Sequence, residues 1–370
     1  MNLHLVSRIP PVRRGQRGLS IMELMISMSI GLMILTGLTL LFVNSSNSTR
    51  ELVKSAQQLE NGRFAIETLR QDLMLAGFYG RLGTLPAAPA LIPDPCDVSS
   101  ATTLYNALPV GVQIIDGTGT RPSCIPVADI VAGTDIIVVR RASTQVISAG
   151  TATINGEIYI QSNAVLAEIQ TGNGSTMTNT SAANGLAATV LNKDNTAAPI
   201  RKYNVIIYYV APCSVPAGGG TTCTGPTDDL GKRIPTLKRR YLTVSGGVAS
   251  MVAEALVEGV DNLQVEIGID NTPTAVGSLT GYAGDGSVDR YSACTTSSVC
   301  SVTDLSNVVA ARVYVLARNT ETTTGHIETK TYSMGALASA VAPAVPPDAY
   351  KRHVYSTEVR IINMAGRRET

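Results

Sequence analysis

The chain has 370 residues, 44% of them hydrophobic and 15% charged, with 29 basic against 28 acidic residues for a formal net charge of +1. That length holds two average domains or one large one, with ample room for a buried core. Residues 1–18 carry Arg8, Arg13, Arg14 and Arg17 and no acid, so the remainder has 25 basic against 28 acidic residues, a net −3. Such a balance argues against broad nucleic-acid affinity, which needs many cations to displace condensed counterions.

After the arginines come Gly18-Leu19-Ser20-Ile21-Met22-Glu23, and then Leu24 to Val43 without a single charge. As a helix rising about 1.5 Å per residue, that run covers roughly 30 Å, one hydrocarbon core. Arginines ahead of it place the N-terminus in the cytoplasm and the rest of the chain, as periplasmic head, across the inner membrane. Glu23 sits just inside the apolar run, where burying a carboxylate is expensive and therefore a sign of function. An uncleaved signal anchor with an incidental glutamate is the blander reading. The segment, however, resembles the class III signal of type IV prepilins, with 1–18 as a leader that prepilin peptidase removes by cutting between Gly18 and Leu19. That resemblance implies N-methylation of Leu19 and makes Glu23, the fifth mature residue, the assembly carboxylate that pairs with a neighbour's amine. Two such charges about 4 Å apart attract by about 4 kcal/mol at an effective dielectric near 20.

Residues 19–43 would then form the transmembrane and filament-core helix, and 44–80 its amphipathic continuation. Apolar residues at Leu52, Ala56, Leu59, Ile66, Leu69, Leu73 and Ala76 recur near a 3.5-residue period, with Glu51, Lys54, Arg63, Glu67 and Arg70 mostly on other faces. Gly77 offers the C-cap. Gly62 speaks against a coiled coil. Many major pilins have a proline near mature position 22; here Leu40 stands there, and Gly31 and Gly37 are the softer points.

Residues 81–370 read as a β-rich head. Leu85–Pro95 is proline-rich and extended. Strands are expected at Asp135–Arg140, Tyr203–Val210, Leu237–Val244, Leu263–Ile269, Val308–Arg318 and His353–Asn363. Asn155-Gly156, between Thr151–Ile154 and Glu157–Ile160, predicts a hairpin. Residues 162–198, rich in Ser, Thr, Asn and Gly, read as surface loops. The fold class is α+β: a type IV pilin fold, with one long helix laid on an antiparallel sheet and loop insertions in the head.

Six cysteines, all beyond the apolar run, fit disulfides in an oxidising compartment and permit fifteen pairings. Local spacing favours Cys213–Cys223 and Cys294–Cys300, leaving Cys96–Cys124. Zinc is the competing reading, but no CxxC occurs and the histidines stand far away.

Three further segments resemble PilW-type minor pilins: Asp72-Leu73-Met74-Leu75-Ala76-Gly77-Phe78-Tyr79-Gly80, Glu258-Gly259-Val260-Asp261-Asn262-Leu263-Gln264-Val265-Glu266 followed by Gly268-Ile269-Asp270, and Tyr355–Asn363. The family's Asp/Gly-rich run is interrupted here by residues 271–283 and resumes at Gly284. The resemblance implies a minor pilin that primes pilus assembly and sits at or near the tip, supporting twitching motility or adhesion. Its implied partners are other minor pilins, the major pilin, the inner-membrane assembly platform and a PilY-type tip adhesin. A minor pseudopilin of a type II secretion system is the alternative; a membrane-anchored periplasmic enzyme or DNA-uptake receptor is a third reading.

No catalytic motif is found. His326 and His353 stand near no nucleophile turn, and Gly218-Gly219-Gly220 lacks the Lys-Ser/Thr of a phosphate loop. Lys238-Arg239-Arg240 is read as the wet face of a strand rather than a DNA patch. Asp285, Ser287 and Asp289 place oxygens at alternate positions as calcium loops do, without the closing glutamate, so a solvated turn is the default and no cofactor is expected.

Overall fold

The computed structural model describes residues 18, 20–117, 119–148, 151–175, 190–194, 196–272, 284–295, 298–336, 341 and 347–369. It divides into two compact units, Met1–Val53 and Lys54–Thr370. Helix α1 spans Ile21–Leu75, so each unit holds part of it.

In the first unit the helix is bare. Every large apolar side chain from Ile21 to Val43 is about half exposed or more, as expected of a segment apolar on all faces. Its hydroxyls are silenced locally: Ser27, Ser29, Thr36 and Thr39 each donate to the carbonyl four residues earlier at 2.7–2.8 Å. That leaves them no need of water.

In the second unit two antiparallel sheets share one core with the helix. The strands are β1 (Val112–Ile115), β2 (Ile136–Ala142), β3 (Ile158–Ser162), β4 (Ala167–Thr171), β5 (Ile200–Ala211), β6 (Thr236–Ser245), β7 (Val248–Glu258), β8 (Val260–Ile269), β9 (Arg290–Ser292), β10 (Val308–Arg318) and β11 (Arg352–Arg360). Short helices α2 (Ala101–Asn106), α3 (Val302–Ser306) and α4 (Ile362–Ala365) punctuate them.

The seven-stranded sheet runs β1-β2-β5-β3-β4, with β6 also on β5 and β7 on β6. Strand β5 is long enough to serve three partners. One edge pairs with β2; the other pairs first with β3 through Ile200–Lys202 and then with β6 through Ile206–Ala211. Both its faces are buried. Ile206, Tyr208 and Val210 face the core shared with α1, while Val205, Ile207 and Tyr209 face a second core that includes Leu104 and Leu108. A strand covered on both faces reads as a continuous apolar run, which is what Val205–Val210 is.

The four-stranded sheet runs β11-β10-β8-β9. It joins the same core through Leu263, Val265, Ile267, Val313, Val315 and Val359, against Ala65, Leu69 and Leu73 of α1. The chain changes sheets at Gly259, between β7 and β8. Its φ is +77°, and a Cβ there would lie 2.6 Å from the carbonyl oxygen of Arg318. Only glycine takes that conformation and that approach without strain.

Several expectations are corrected. The stripe of α1 that is buried is Gln58, Gly62, Ala65, Leu69, Asp72 and Leu73, with Ala76 buried just past its end, whereas Leu52 is 71% and Leu59 42% exposed. Two polar residues and a glycine in the buried stripe hid its position from an apolar count. Asn155-Gly156 does turn, with Gly156 at φ +83°, but no hairpin forms across it: β3 spends its two edges on β4 and β5. Part of the 162–198 loop region is strand β4, and 176–189 lie outside the described residues. The last predicted strand ends at Arg360, and Asn363 belongs to α4.

Candidate assembly segment and the PilW head

Gly18 is exposed, and a Cβ built on it meets nothing within 4 Å. Leu19 lies outside the described residues. Leu24 N donates to Ser20 O at 3.0 Å, so the helical turn carrying Glu23 begins two residues past Gly18. The Glu23 side chain is exposed in the first turn of α1, where a carboxylate is favoured by the unpaired backbone N–H groups. By length and composition, α1 is the one helix among the described residues able to cross a membrane.

The structure joins all six cysteines, as Cys96–Cys124, Cys213–Cys223 and Cys294–Cys300. Asp228 lies within ligand distance of Cys213 and Cys223. Its carboxylate is already spent, accepting from the backbone N–H groups of Ala217, Thr224 and Gly225 at 2.7–2.8 Å. With both sulfurs in a disulfide, the cluster is a knot for the loop around Gly218-Gly219-Gly220 rather than a metal centre. The Asp285 carboxylate accepts from Ser287 N at 2.8 Å, and that of Asp289 from Asn271 N at 2.6 Å and Thr272 Oγ1 at 3.1 Å.

The basic cluster is not a wet strand face. Lys238 is 2% and Arg240 9% exposed. Lys238 Nζ lies 2.9 Å from Asp129 Oδ1, and Asp129 also accepts from Tyr209 Oη at 2.8 Å and Cys223 N at 3.1 Å. Arg239 pairs with Glu254 on β7. Burying one ammonium is tolerable only with such a partner, and Asp129, 109 residues earlier, gave no sign of the pairing in the sequence. The histidines stand apart: His326 Nε2 is 3.4 Å from Glu328, and His353 packs edge-on against Tyr355.

Two further acids are buried between elements. On α1, Asp72 accepts from Arg141 at 2.9 Å and from the Tyr208 hydroxyl; burial, with this carboxylate beside it, pushes that hydroxyl well above the usual phenol range. Asp135, 3% exposed, accepts from Val265 N at 2.8 Å and Gly117 N at 3.4 Å. Burial pushes its carboxyl up to about 7, with the negative charge of Asp116 adding to the effect, against the pull of the two N–H groups.

Residues 214–363 match the family model PilW, described as type IV pilus-assembly protein W. The chain carries a PilW domain. No curated protein and no solved structure matches it. The match takes in the whole four-stranded sheet with β6 and β7, and leaves β1 to β5 outside. Within the PilW domain, Gly259 is the sheet-switching residue, and Asp261 receives Arg352 Nε at 2.6 Å. Asp270, fully buried, accepts from Gly286 N at 2.8 Å and faces Arg368 at 3.8 Å. The matched family is described as one of pilus assembly rather than as an enzyme.

Proposed function

We propose that this chain is a minor pilin that primes type IV pilus assembly and sits at or near the pilus tip, supporting twitching motility or adhesion. One conjunction carries the reading: a PilW domain at 214–363 in the same chain as an exposed Glu23 opening a bare apolar helix. Cleavage after Gly18 would free the amine of Leu19 for methylation. Glu23 would meet the corresponding amine of a neighbouring pilin, setting axial register, while Leu, Ile and Met side chains from Leu24 to Val43 supply most of the burial. Leaving either charge unpaired among apolar helices is costly. The partners on this reading are the other minor pilins, the major pilin, the assembly platform and a PilY-type adhesin, with prepilin peptidase as processing enzyme.

The experiment is Glu23→Val in cells. The variant keeps the apolar run, so it should insert, be cleaved to a chain starting at methylated Leu19, and accumulate normally. Pili should become scarce and return when retraction is blocked, the mark of an initiation defect. Wild-type piliation from Glu23→Val, where deleting the gene abolishes pili, would overturn the role of the carboxylate; finding only full-length protein by mass spectrometry would overturn the prepilin reading.

A further inference from the structure

Five strands lie at sheet edges: β1, β4 and β7 in the larger sheet, β9 and β11 in the smaller. Three of them are short, with four residues in β1, five in β4 and three in β9. Strand β11 has nine residues and carries Arg352, His353, Glu358 and Arg360. Short length and charge are the usual protection of an edge against further pairing. Strand β7 has little of either. It is eleven residues long, holds no lysine, arginine or proline, and bears only Glu254 and Glu258 as charges. Of these, Glu254 is paired with Arg239 on β6.

The register fixes which backbone groups of β7 are open. Gly246-Gly247, both at positive φ, make a two-residue turn that closes on Ser245 and Val248. From that pair the ladder alternates, so Val248, Ser250, Val252 and Glu254 bond to β6. Ala249, Met251, Ala253 and Ala255 turn their N–H and C=O groups outward. Among the described residues nothing pairs with these four. The open stretch is bounded at both ends. Gly156 lies against Gly247 at one, and past the bulge at the other Asn61 Nδ2 donates to Glu258 O at 3.0 Å. From Ala249 to Ala255 the opening runs roughly 20 Å, at about 3.4 Å per residue.

We propose that β7 takes up one more strand, from a different polypeptide, lying along Ala249–Ala255 with a lysine or arginine at the Glu258 end. The unpaired main-chain groups set the class of ligand, an extended backbone. Charge sets its sequence. Beside the far end, a groove of about 470 Å³ is lined by Glu60, Asn61 and Phe64 of α1 with Leu256 and Glu258 of β7, and no basic residue lines it. The carboxylates of Glu60 and Glu258 meet no cation or donor among the described residues. A second copy of this chain does not supply the base. Its β7 has none, and Arg352 and Arg360 on its other long edge are held by Asp261, Asp348 and Glu369. The proposal stands apart from the Glu23 reading, because none of its residues belongs to the apolar run.

The test uses the full chain in nanodiscs of neutral lipid, with hydrogen exchange read residue by residue. Acetyl-Lys-Val-Thr-Val-Thr-Val-Lys-amide is basic at both ends, so either strand direction serves. It should slow exchange at Ala249, Met251, Ala253 and Ala255 by about tenfold or more. With glutamate at both ends the peptide should bind about tenfold more weakly, a difference of about 1.4 kcal/mol. N-methylation of every valine and threonine keeps the side chains, removes the donors and should end the protection. Ala253→Pro takes away an outward N–H and no bond to β6, so it should prevent binding with the fold intact by circular dichroism. Glu60→Gln with Glu258→Gln, both at exposed positions, should leave binding but erase the preference for lysine. No protection of the wild-type chain, equal protection by the N-methylated peptide, or an unaltered preference in the glutamine pair would overturn the proposal. In cells, a photocrosslinker at exposed position 255 should join the chain to a different protein, and Ala253→Pro should remove the adduct. No adduct, or adducts made of this chain alone, would overturn the choice of partner.

Discussion

The ring of Tyr355 fills the space that a side chain at position 62 would occupy: a Cβ built on Gly62 lies 2.2 Å from Cε2 of Tyr355. A residue that reads as a weak point in a helix is the seat of a strand residue. Through this contact β11 closes onto α1.

Gly62→Ala is therefore destabilising despite the gain of about 1 kcal/mol in helix propensity. Overpacking of this kind costs about 1–3 kcal/mol, so urea unfolding should show a net loss. Adding Tyr355→Ser should return much of it, with a coupling energy above about 0.5 kcal/mol. Independent, additive effects would sink the packing account.

Gly259→Ala forces φ +77° on a residue with a Cβ, 2.6 Å from Arg318 O. The loss should be about 1–3 kcal/mol. Gly133, also at positive φ (+76°) but with nothing within 4 Å of a Cβ, is the control: its alanine variant should lose clearly less. Equal losses at both positions would mean that backbone conformation, not the approach to Arg318, sets the cost.

Asp135 gives the head a pH dependence with a definite sign. Its folded carboxyl keeps its proton up to about 7, against an ordinary value of 3.8. The stability it contributes is therefore full below about pH 4 and is lost as pH rises through 7, by at most on the order of 4 kcal/mol. Asp135→Asn, which cannot ionise but accepts through one oxygen instead of two, should fall below the wild-type Tm at pH 4, and that gap should close or reverse by pH 8. A constant gap across that range would refute the assignment.

Asp129→Asn leaves the ammonium of Lys238 buried without its charge partner, and about 3–5 kcal/mol should be lost. Asn keeps an acceptor for Cys223 N, so adding Lys238→Met should recover at least half of the loss in the same unfolding assay. A double variant no better than the single one would show the pair to be incidental.

What the sequence made legible were elements whose signal is local. Val308–Arg318, rich in valine, forms a strand with those bounds; the apolar run from Leu24 is helical throughout; Glu23 and Gly18 stand out by position. What stayed hidden depends on partners far along the chain. Lys238 looked solvated because Asp129 was invisible as its neighbour. Gln58 and Asp72 were no part of the apolar stripe read from the sequence, yet both are buried, since their acceptors and donors come from Ala317, Lys351, Arg141 and Tyr208. Strand β7 was missed because Val248–Glu258 is an edge strand, half exposed, with small and acidic residues blurring its alternation.

Those hidden residues also decide how the head answers to force. Gln58 donates to carbonyls of the four-stranded sheet's side, Ala317 and Lys351, while Asp72, roughly 20 Å further along the helix, is held by Arg141 and Tyr208 of the seven-stranded sheet. Tension along α1 between Lys54 and Leu75 thus works on both attachments at once, in shear, with the packing of Ala65 and Leu69 between them. Such an arrangement resists until both attachments fail together, and then gives way in a single step.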